Sequence, residues 1–204
     1  MLHLILVRHG QTEWNVQRRY QGQSNVPLSP LGRRQADCIA ERLANQKIDA
    51  VYASDLERAW ETARLIAERH GLTVSPEPRL RELKFGVLEG LTFDEAQIQY
   101  PEMIAAWLED FNQPPQGAET IDVFNARIIS LLDDLKQKHD EQILLLVGHG
   151  GSLSEILRVT LGLSREKRWY FEMENASLSE VLIADEYMSL KKLNDTAHLA
   201  FLSM

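Results

Sequence analysis

Short apolar runs alternate with longer segments of helical period along this chain. Residues 4–7 form an unbroken apolar run of strand length that ends at Arg8-His9-Gly10. Ser29-Pro30 then supplies an N-cap followed by proline at the first helical position, and Ala36, Ile39, Ala40 and Leu43 recur at helical spacing. Residues 49–53 predict a second strand. Ser54-Asp55-Leu56-Glu57 has the form of a capping box, and Leu56, Ala59, Trp60, Ala63, Ile66 and Ala67 carry a helical stripe towards Gly71, a suitable stop. Thr120 opens another helix, with Ile121, Phe124, Ile128, Leu131, Leu132 and Leu135 on one face. Residues 143–147 are the most apolar strand; they end at Gly148-His149-Gly150, and a helix carrying Leu153, Ile156, Leu157 and Leu161 follows. From about Arg168 the pattern predicts two or three edge strands.

This alternation of strand and helix is the pattern of an α/β fold. Residues 72–118 break it with several prolines, glycines and two short helical patches, and read as an excursion over one end of the sheet, of the kind that forms lids and specificity elements. With 204 residues, no linker and no low-complexity tract, the chain reads as a single domain. One internal echo stands out. The segments 4–10 and 144–150 agree at five of seven positions, each a buried-type strand with a histidine and a glycine just past its carboxyl end. Ligands of open α/β sheets bind at those ends, so adjacent parallel strands here would aim His9 and His149 into one crevice.

Charge and cysteine content narrow the function. A formal net charge of −8 argues against a general nucleic-acid or anionic-membrane binder, but not against a small anionic substrate, which meets only a pocket's local field. A lone cysteine, Cys38, cannot form an internal disulfide and fits a reducing, cytoplasmic compartment. The apolar start reaches Arg8 too soon for a signal peptide or membrane span. Asn175-Ala176-Ser177 matches a glycosylation acceptor, which reads as a chance match without an export signal.

Among the six histidines, His3, His70, His139 and His198 read as structural or solvent-facing, whereas His9 and His149 sit in strand-to-loop frames. Residues 8–15, Arg8-His9-Gly10-Gln11-Thr12-Glu13-Trp14-Asn15, resemble the signature of the histidine phosphatase superfamily, which includes cofactor-dependent phosphoglycerate mutases and many small-molecule phosphatases. The resemblance runs along nearly the whole chain. Tyr20-Gln21-Gly22-Gln23 with Pro27-Leu28-Ser29 and Gly32, the segment from Ser54 through Arg58 to Ala63, Arg81-Glu82-Leu83 with Glu89-Gly90, Gly148-His149-Gly150 and the ending from Asn194 to Leu199 follow in the family's order.

The resemblance implies a three-layer α/β/α sandwich around a mostly parallel sheet. It also implies phosphoryl transfer without metal or cofactor, on a small phosphorylated metabolite; the edge strands near the C-terminus leave both a monomer and a homodimer open. His9 would be the nucleophile and Glu82 the proton handler, with Glu89 as a rival acid and a salt bridge to Arg79, Arg81 or Lys84 as Glu82's structural alternative. Arg8, Arg58 and a cationic or donating His149 would hold the phosphoryl oxygens, and Asn15, Gln21, Gly22 and Gly150 would add contacts. Physical chemistry agrees: phosphoryl transfer asks for positioning and charge compensation, and guanidinium forks and a helix N-terminus supply both.

Three departures bear on the leaving group, not on the catalytic groups. They are Leu88 before Glu89-Gly90 where many relatives have an aromatic, Phe85 at an acid-loop position that faces substrate in some members, and Gln11-Thr12 after Gly10 where mutases often have Glu-Ser. Trp14, Trp60, Trp107 and Trp169 read as packing residues, although Phe85, Leu88, Trp107 and Phe111 are candidates for lining a leaving-group pocket. The competing readings are a phosphoglycerate mutase using the same residues, an idle phosphoester-binding protein, and a metallohydrolase. The complete set of reactive groups argues against the second, and two arginines beside any bound cation argue against the third.

Overall fold

The computed structural model describes residues 1–167, 170–184 and 187–203. Its strands are β1 (Leu2–Arg8), β2 (Ala50–Ala53), β3 (Val74–Pro76), β4 (Ile143–Gly148), β5 (Leu178–Ile183) and β6 (Met188–Asp195). Its α-helices are α1 (Glu13–Val16), α2 (Pro30–Leu43), α3 (Glu57–His70), α4 (Phe93–Gln99), α5 (Pro101–Glu109), α6 (Ile121–Lys138) and α7 (Gly150–Thr160). One six-stranded sheet runs in the order β3-β2-β4-β1-β5-β6. The first four strands of that order are mutually parallel, β5 is antiparallel to β1, and β6 is antiparallel to β5.

Strand alternation sorts the apolar residues into two cores. Leu4, Leu6, Leu144 and Leu146 face Ile128, Leu131, Leu135, Leu153 and Ile156 of α6 and α7. On the opposite face, Ile5, Val7, Leu145 and Val147 pack on Ile39, Leu43, Ala63 and Ile66 of α2 and α3. The result is the expected three-layer sandwich. Each fully buried aliphatic side chain contributes roughly 1.5–3 kcal/mol, so the strand ends that carry the histidines are held from the interior.

Local signals explain most element bounds. Ser29 caps α2 by accepting from Gly32 N at 3.0 Å, with Pro30 at the first helical position. Thr120 caps α6 through Val123 N at 3.2 Å. Gly71 stops α3 in the left-handed conformation (φ 63°).

Three expectations need correction. The capping box at residues 54–57 does not form: α3 starts at Glu57, its N-cap Leu56 makes no side-chain cap bond, and the Ser54 hydroxyl is bound to His149 instead. The excursion begins later than residue 72, because residues 74–76 join the sheet as β3; a crossover through α3 returns the chain beside β2. The C-terminal strands are not all edges, since β5 lies inside the sheet against β1 and only β6 is exposed along one side. Trp169 lies outside the described residues.

The excursion has a core of its own. Leu88, Ala96, Ile104 and Trp107 are buried together with Tyr20, Phe85 and Phe111 packed around them. Tyr20 stacks at 5.0 Å on Phe85, and Trp107 meets Phe111 at 5.4 Å, so these aromatics chiefly fill the cap and tie it to the loop after α1. Main-chain bonds from Tyr20 N to Leu91 O and from Gly90 N to Tyr20 O complete that tie, both shorter than 3.0 Å at 2.9 and 2.8 Å.

Candidate active site

Strand register puts the two histidines side by side. Arg8 pairs with Gly148 across β1 and β4, so His9 and His149 leave the sheet at the same level. Their ring centroids are 5.1 Å apart, and both residues are buried. Gly10 is needed just behind His9 because a Cβ there would collide with the main chain of Gly32 at the start of α2.

The His9 tautomer follows from its neighbour. Nδ1 lies 2.7 Å from the carbonyl oxygen of Gly10, which only accepts, so Nδ1 carries the proton and Nε2 keeps a lone pair. Burial first, then the charges of Arg58 and Arg8, hold the His9 pKa well below the usual histidine value, with only the Gly10 carbonyl pulling upwards. His9 is therefore a neutral imidazole with a free electron pair, the form a nucleophile needs.

The frame around His9 is braced from two sides. Gly10 N donates to Thr62 Oγ1 at 3.2 Å, and that hydroxyl donates to Arg58 O at 2.8 Å. From the opposite side, His9 O accepts from Ala176 N at 3.1 Å and Asn175 Nδ2 at 3.2 Å, while the Arg8 guanidinium donates to Met173 O. Ala176 holds a left-handed backbone (φ 56°), a local cost of order 1 kcal/mol that the surrounding contacts sustain.

Arg58, in the first turn of α3, is fully buried. Its Nη1 donates to Ser24 O and its Nη2 to Gly22 O, both at 2.8 Å. Arg8 Nε, Arg58 Nε and His149 Nδ1 are buried without a hydrogen-bond partner among the described residues. Buried polar nitrogens are normally satisfied, so three such atoms around a neutral imidazole make a site suited to an oxyanion. His149 is also held neutral, by burial first and then by Arg58, His9, Arg8 and Arg127. Of the two roles expected for it, donation fits and a standing positive charge does not.

Glu82 completes the group. Its Oε1 accepts from Leu83 N at 2.8 Å and its Oε2 from Gly151 N at 3.0 Å, in the first turn of α7. A Cβ on Gly151 would collide with that carboxylate, so glycine keeps its seat clear. The structural alternative for Glu82 is not realised: Arg79 pairs with Glu77 and Asp134, and Arg81 with Asp55. Glu89, the rival acid, accepts from Gln23 N, Ser24 Oγ and Phe85 N, which binds the 21–24 loop to the cap.

The remaining expected contacts lie beside this group. Gly150 opens α7 next to the Arg8 guanidinium, where a Cβ would stand 3.7 Å from its central carbon. The Oδ1 of Asn15 and the Oε1 of Gln21 each lie 3.0 Å from Thr12 Oγ1. Gly22 contributes its carbonyl to Arg58.

Five supporting residues escaped the reading of the sequence. Thr62 follows Arg58 by four positions, so helical spacing alone places them on one face. Ser54 was visible but assigned to a cap, and Asn175 only as a glycosylation match. Gly151 directly follows the expected Gly148-His149-Gly150. Arg127 had no sequence signal: from α6 it grips Glu82 O at 3.0 Å and is itself fixed by Glu119 at 2.8 and 3.0 Å. Among the described residues, no three His, Cys, Asp or Glu side chains gather in a metal-binding group. No helix among them is long and apolar enough to cross a membrane.

The chain is similar to known proteins along almost its whole length. Residues 4–196 match the family model described as histidine phosphatase superfamily (branch 1). Phosphoserine phosphatase 1 of Hydrogenobacter thermophilus is 34% identical over 200 residues, covering 98% of this chain and 95% of its own. The probable phosphoglycerate mutase GpmB of Yersinia pestis is 37% identical over 210 residues, with 98% and 95% covered. The crystal structure of the α-ribazole phosphatase from Shigella flexneri superposes with a TM-score of 0.89 at 31% identity, covering 95% of this chain and 96% of that one.

Proposed function

Since the chain belongs to the histidine phosphatase superfamily, branch 1, and is a phosphatase, we propose that it hydrolyses a small phosphorylated metabolite without metal, through a phosphohistidine on His9. The observation that carries this reading is the neutral, Nε2-unprotonated His9 surrounded by the buried, unpartnered nitrogens of Arg8, Arg58 and His149. In the first half-reaction Nε2 attacks phosphorus, the N–P bond forms and the ester P–O bond breaks. Glu82 enters the cycle protonated and gives that proton to the leaving alkoxide; as a carboxylate it then takes one from the attacking water, which cleaves the N–P bond and restores both His9 and the Glu82 carboxyl group. The arginines meet the charge on the equatorial oxygens.

Relatives named for phosphoserine and α-ribazole phosphate support a small-metabolite substrate without choosing one. The relative named as a mutase supports a second reading, in which His9 returns the phosphoryl group to an acceptor hydroxyl in place of water. Chain length does not separate the two, because this chain spans 95% of that relative.

The test is phosphate release from a panel of phosphomonoesters in excess chelator, with a phosphoglycerate mutase assay, with and without bisphosphate primer, in parallel. Chelator-resistant release is the expected result. Loss of activity on chelation would overturn the metal-free mechanism, and primer-dependent isomerisation without release would establish the mutase. Glu82→Gln adds a finer expectation: esters with poor leaving groups slow on the order of 10²-fold, while a nitrophenyl ester changes far less, because good leaving groups need little protonation. Equal slowing across the series would remove Glu82 from the acid role.

A further inference from the structure

We propose that Ser54 is a positioning residue that sets the tautomer of His149, placing the ring proton on Nδ1 and so making it the donor towards the reacting phosphoryl group. Ser54 follows β2 and is fully buried. Its own N–H donates to Val147 O at 3.0 Å, which ties it to the strand that delivers His149. Its Oγ accepts from Leu56 N at 3.3 Å and lies 2.9 Å from His149 Nε2.

The assignment is a matter of counting. A hydroxyl has one hydrogen and two lone pairs. Leu56 N–H takes one lone pair, and among the described residues His149 Nε2 is the acceptor within reach of the hydrogen. Were Nε2 protonated, it would fill the second lone pair and leave the hydroxyl hydrogen buried with nowhere to go, which folded proteins avoid. The hydroxyl therefore donates to Nε2, and a neutral ring must then carry its proton on Nδ1. That atom is buried, has no hydrogen-bond partner among the described residues, and belongs to a ring 5.1 Å from the nucleophile's.

The two histidines thus share a design with separate means. The Gly10 carbonyl, by accepting from Nδ1 of His9, keeps that ring's proton there and leaves Nε2 free to attack. The Ser54 hydroxyl, by donating to Nε2 of His149, keeps that ring's proton on Nδ1 and leaves Nδ1 free to donate. A neutral donor beside Arg8 and Arg58 also avoids adding a third cation to a buried site. Only the catalytic consequence rests on the phosphatase reading; the tautomer itself does not.

The test is a two-bond ¹H–¹⁵N spectrum of the histidine side chains of the full-length protein, near neutral pH, with His149 assigned by His149→Gln. The wild type is expected to show a protonated Nδ1 and an unprotonated Nε2 for His149. Ser54→Ala should mix or reverse that state, and Ser54→Cys or Ser54→Thr should restore it in part. In turnover, Ser54→Ala should lose about 10–100-fold in kcat with KM little changed, as for other groups that orient a functional imidazole. A wild-type His149 protonated on Nε2 overturns the proposal and needs no variant to fold. An unchanged tautomer in Ser54→Ala does the same. A protein that releases no phosphate from any ester but shows the expected spectrum would instead sink the phosphatase reading.

Discussion

His9→Ala is expected to remove turnover of every phosphomonoester the wild type accepts, a loss on the order of 10⁴–10⁶-fold in kcat, as for other covalent nucleophiles. The reason is chemical: no neighbouring group offers an unprotonated nitrogen in the same place. His149 is 5.1 Å away ring to ring, and its Nε2 is bound to Ser54. The effect should be separable from folding, because the backbone of residue 9 is held by bonds that alanine keeps: its N–H donates to Gly148 O, and its carbonyl accepts from Ala176 N and Asn175 Nδ2. The variant should therefore melt close to the wild type and still bind phosphoesters. Brief reaction with a labelled ester, quenched in base, should leave label on the wild type, lost on mild acid treatment, and none on His9→Ala. Appreciable turnover by a folded His9→Ala, or equal labelling of both proteins, would transfer the nucleophile to another residue.

How much of this was legible in the sequence depended on how local each cause was. Residues 4–10 and 144–150 announced their strands, their parallel kinship and their histidines, and they pair in the register the echo implied, Leu4 beside Leu144 and Val7 beside Val147. Caps at Ser29 and Thr120 and the stop at Gly71 were equally readable, since each acts within one turn of helix. The misreading at Ser54 shows the limit. Its hydroxyl accepts from Leu56 N at the entry to α3 but spends its hydrogen on an imidazole 95 positions away, a partner no local pattern announces, because burial makes an unpaired group there costly.

Arg127 illustrates the same point more strongly. It looks like any cation on an amphipathic helix, and only tertiary structure brings it to the Glu82 carbonyl. The electrostatic state of His149 was also beyond the sequence. Crowding by Arg8, Arg58 and Arg127 depends on three segments that meet only in the folded chain. The cap was legible as an interruption of the pattern, but its start was misplaced because residues 74–76 join the sheet, and its purpose was hidden because the aromatics that suggested a leaving-group pocket largely pack on one another.

Removing Arg58 carries the second large effect, and the one with the richest signature. Arg58→Ala should lower kcat/KM on the order of 10²–10³-fold at neutral pH, the cost of losing one preorganised stabiliser of developing charge. It should also move the pH profile. Burial is the main cause of Arg58's own lowered pKa, and its charge in turn depresses both His9 and His149. Without that charge both histidines take protons at higher pH than in the wild type, while burial continues to hold them below the ordinary histidine value. A protonated His9 has no lone pair to offer, so the acid limb of kcat/KM should shift upwards, and the defect should be deeper at pH 5.5 than at pH 7.5. Arg58→Lys separates the contributions. It keeps a positive charge and so should leave the acid limb nearer to the wild type, but it cannot bridge Ser24 O and Gly22 O while presenting a third nitrogen, and should stay well below wild-type rate. Thermal melts identify any variant that is merely unfolded. In folded variants, an unchanged rate would place Arg58 outside the phosphoryl site. A rate defect constant with pH would mean that its charge does not tune the histidines, leaving it the roles of holding the phosphoryl oxygens and the 22–24 loop.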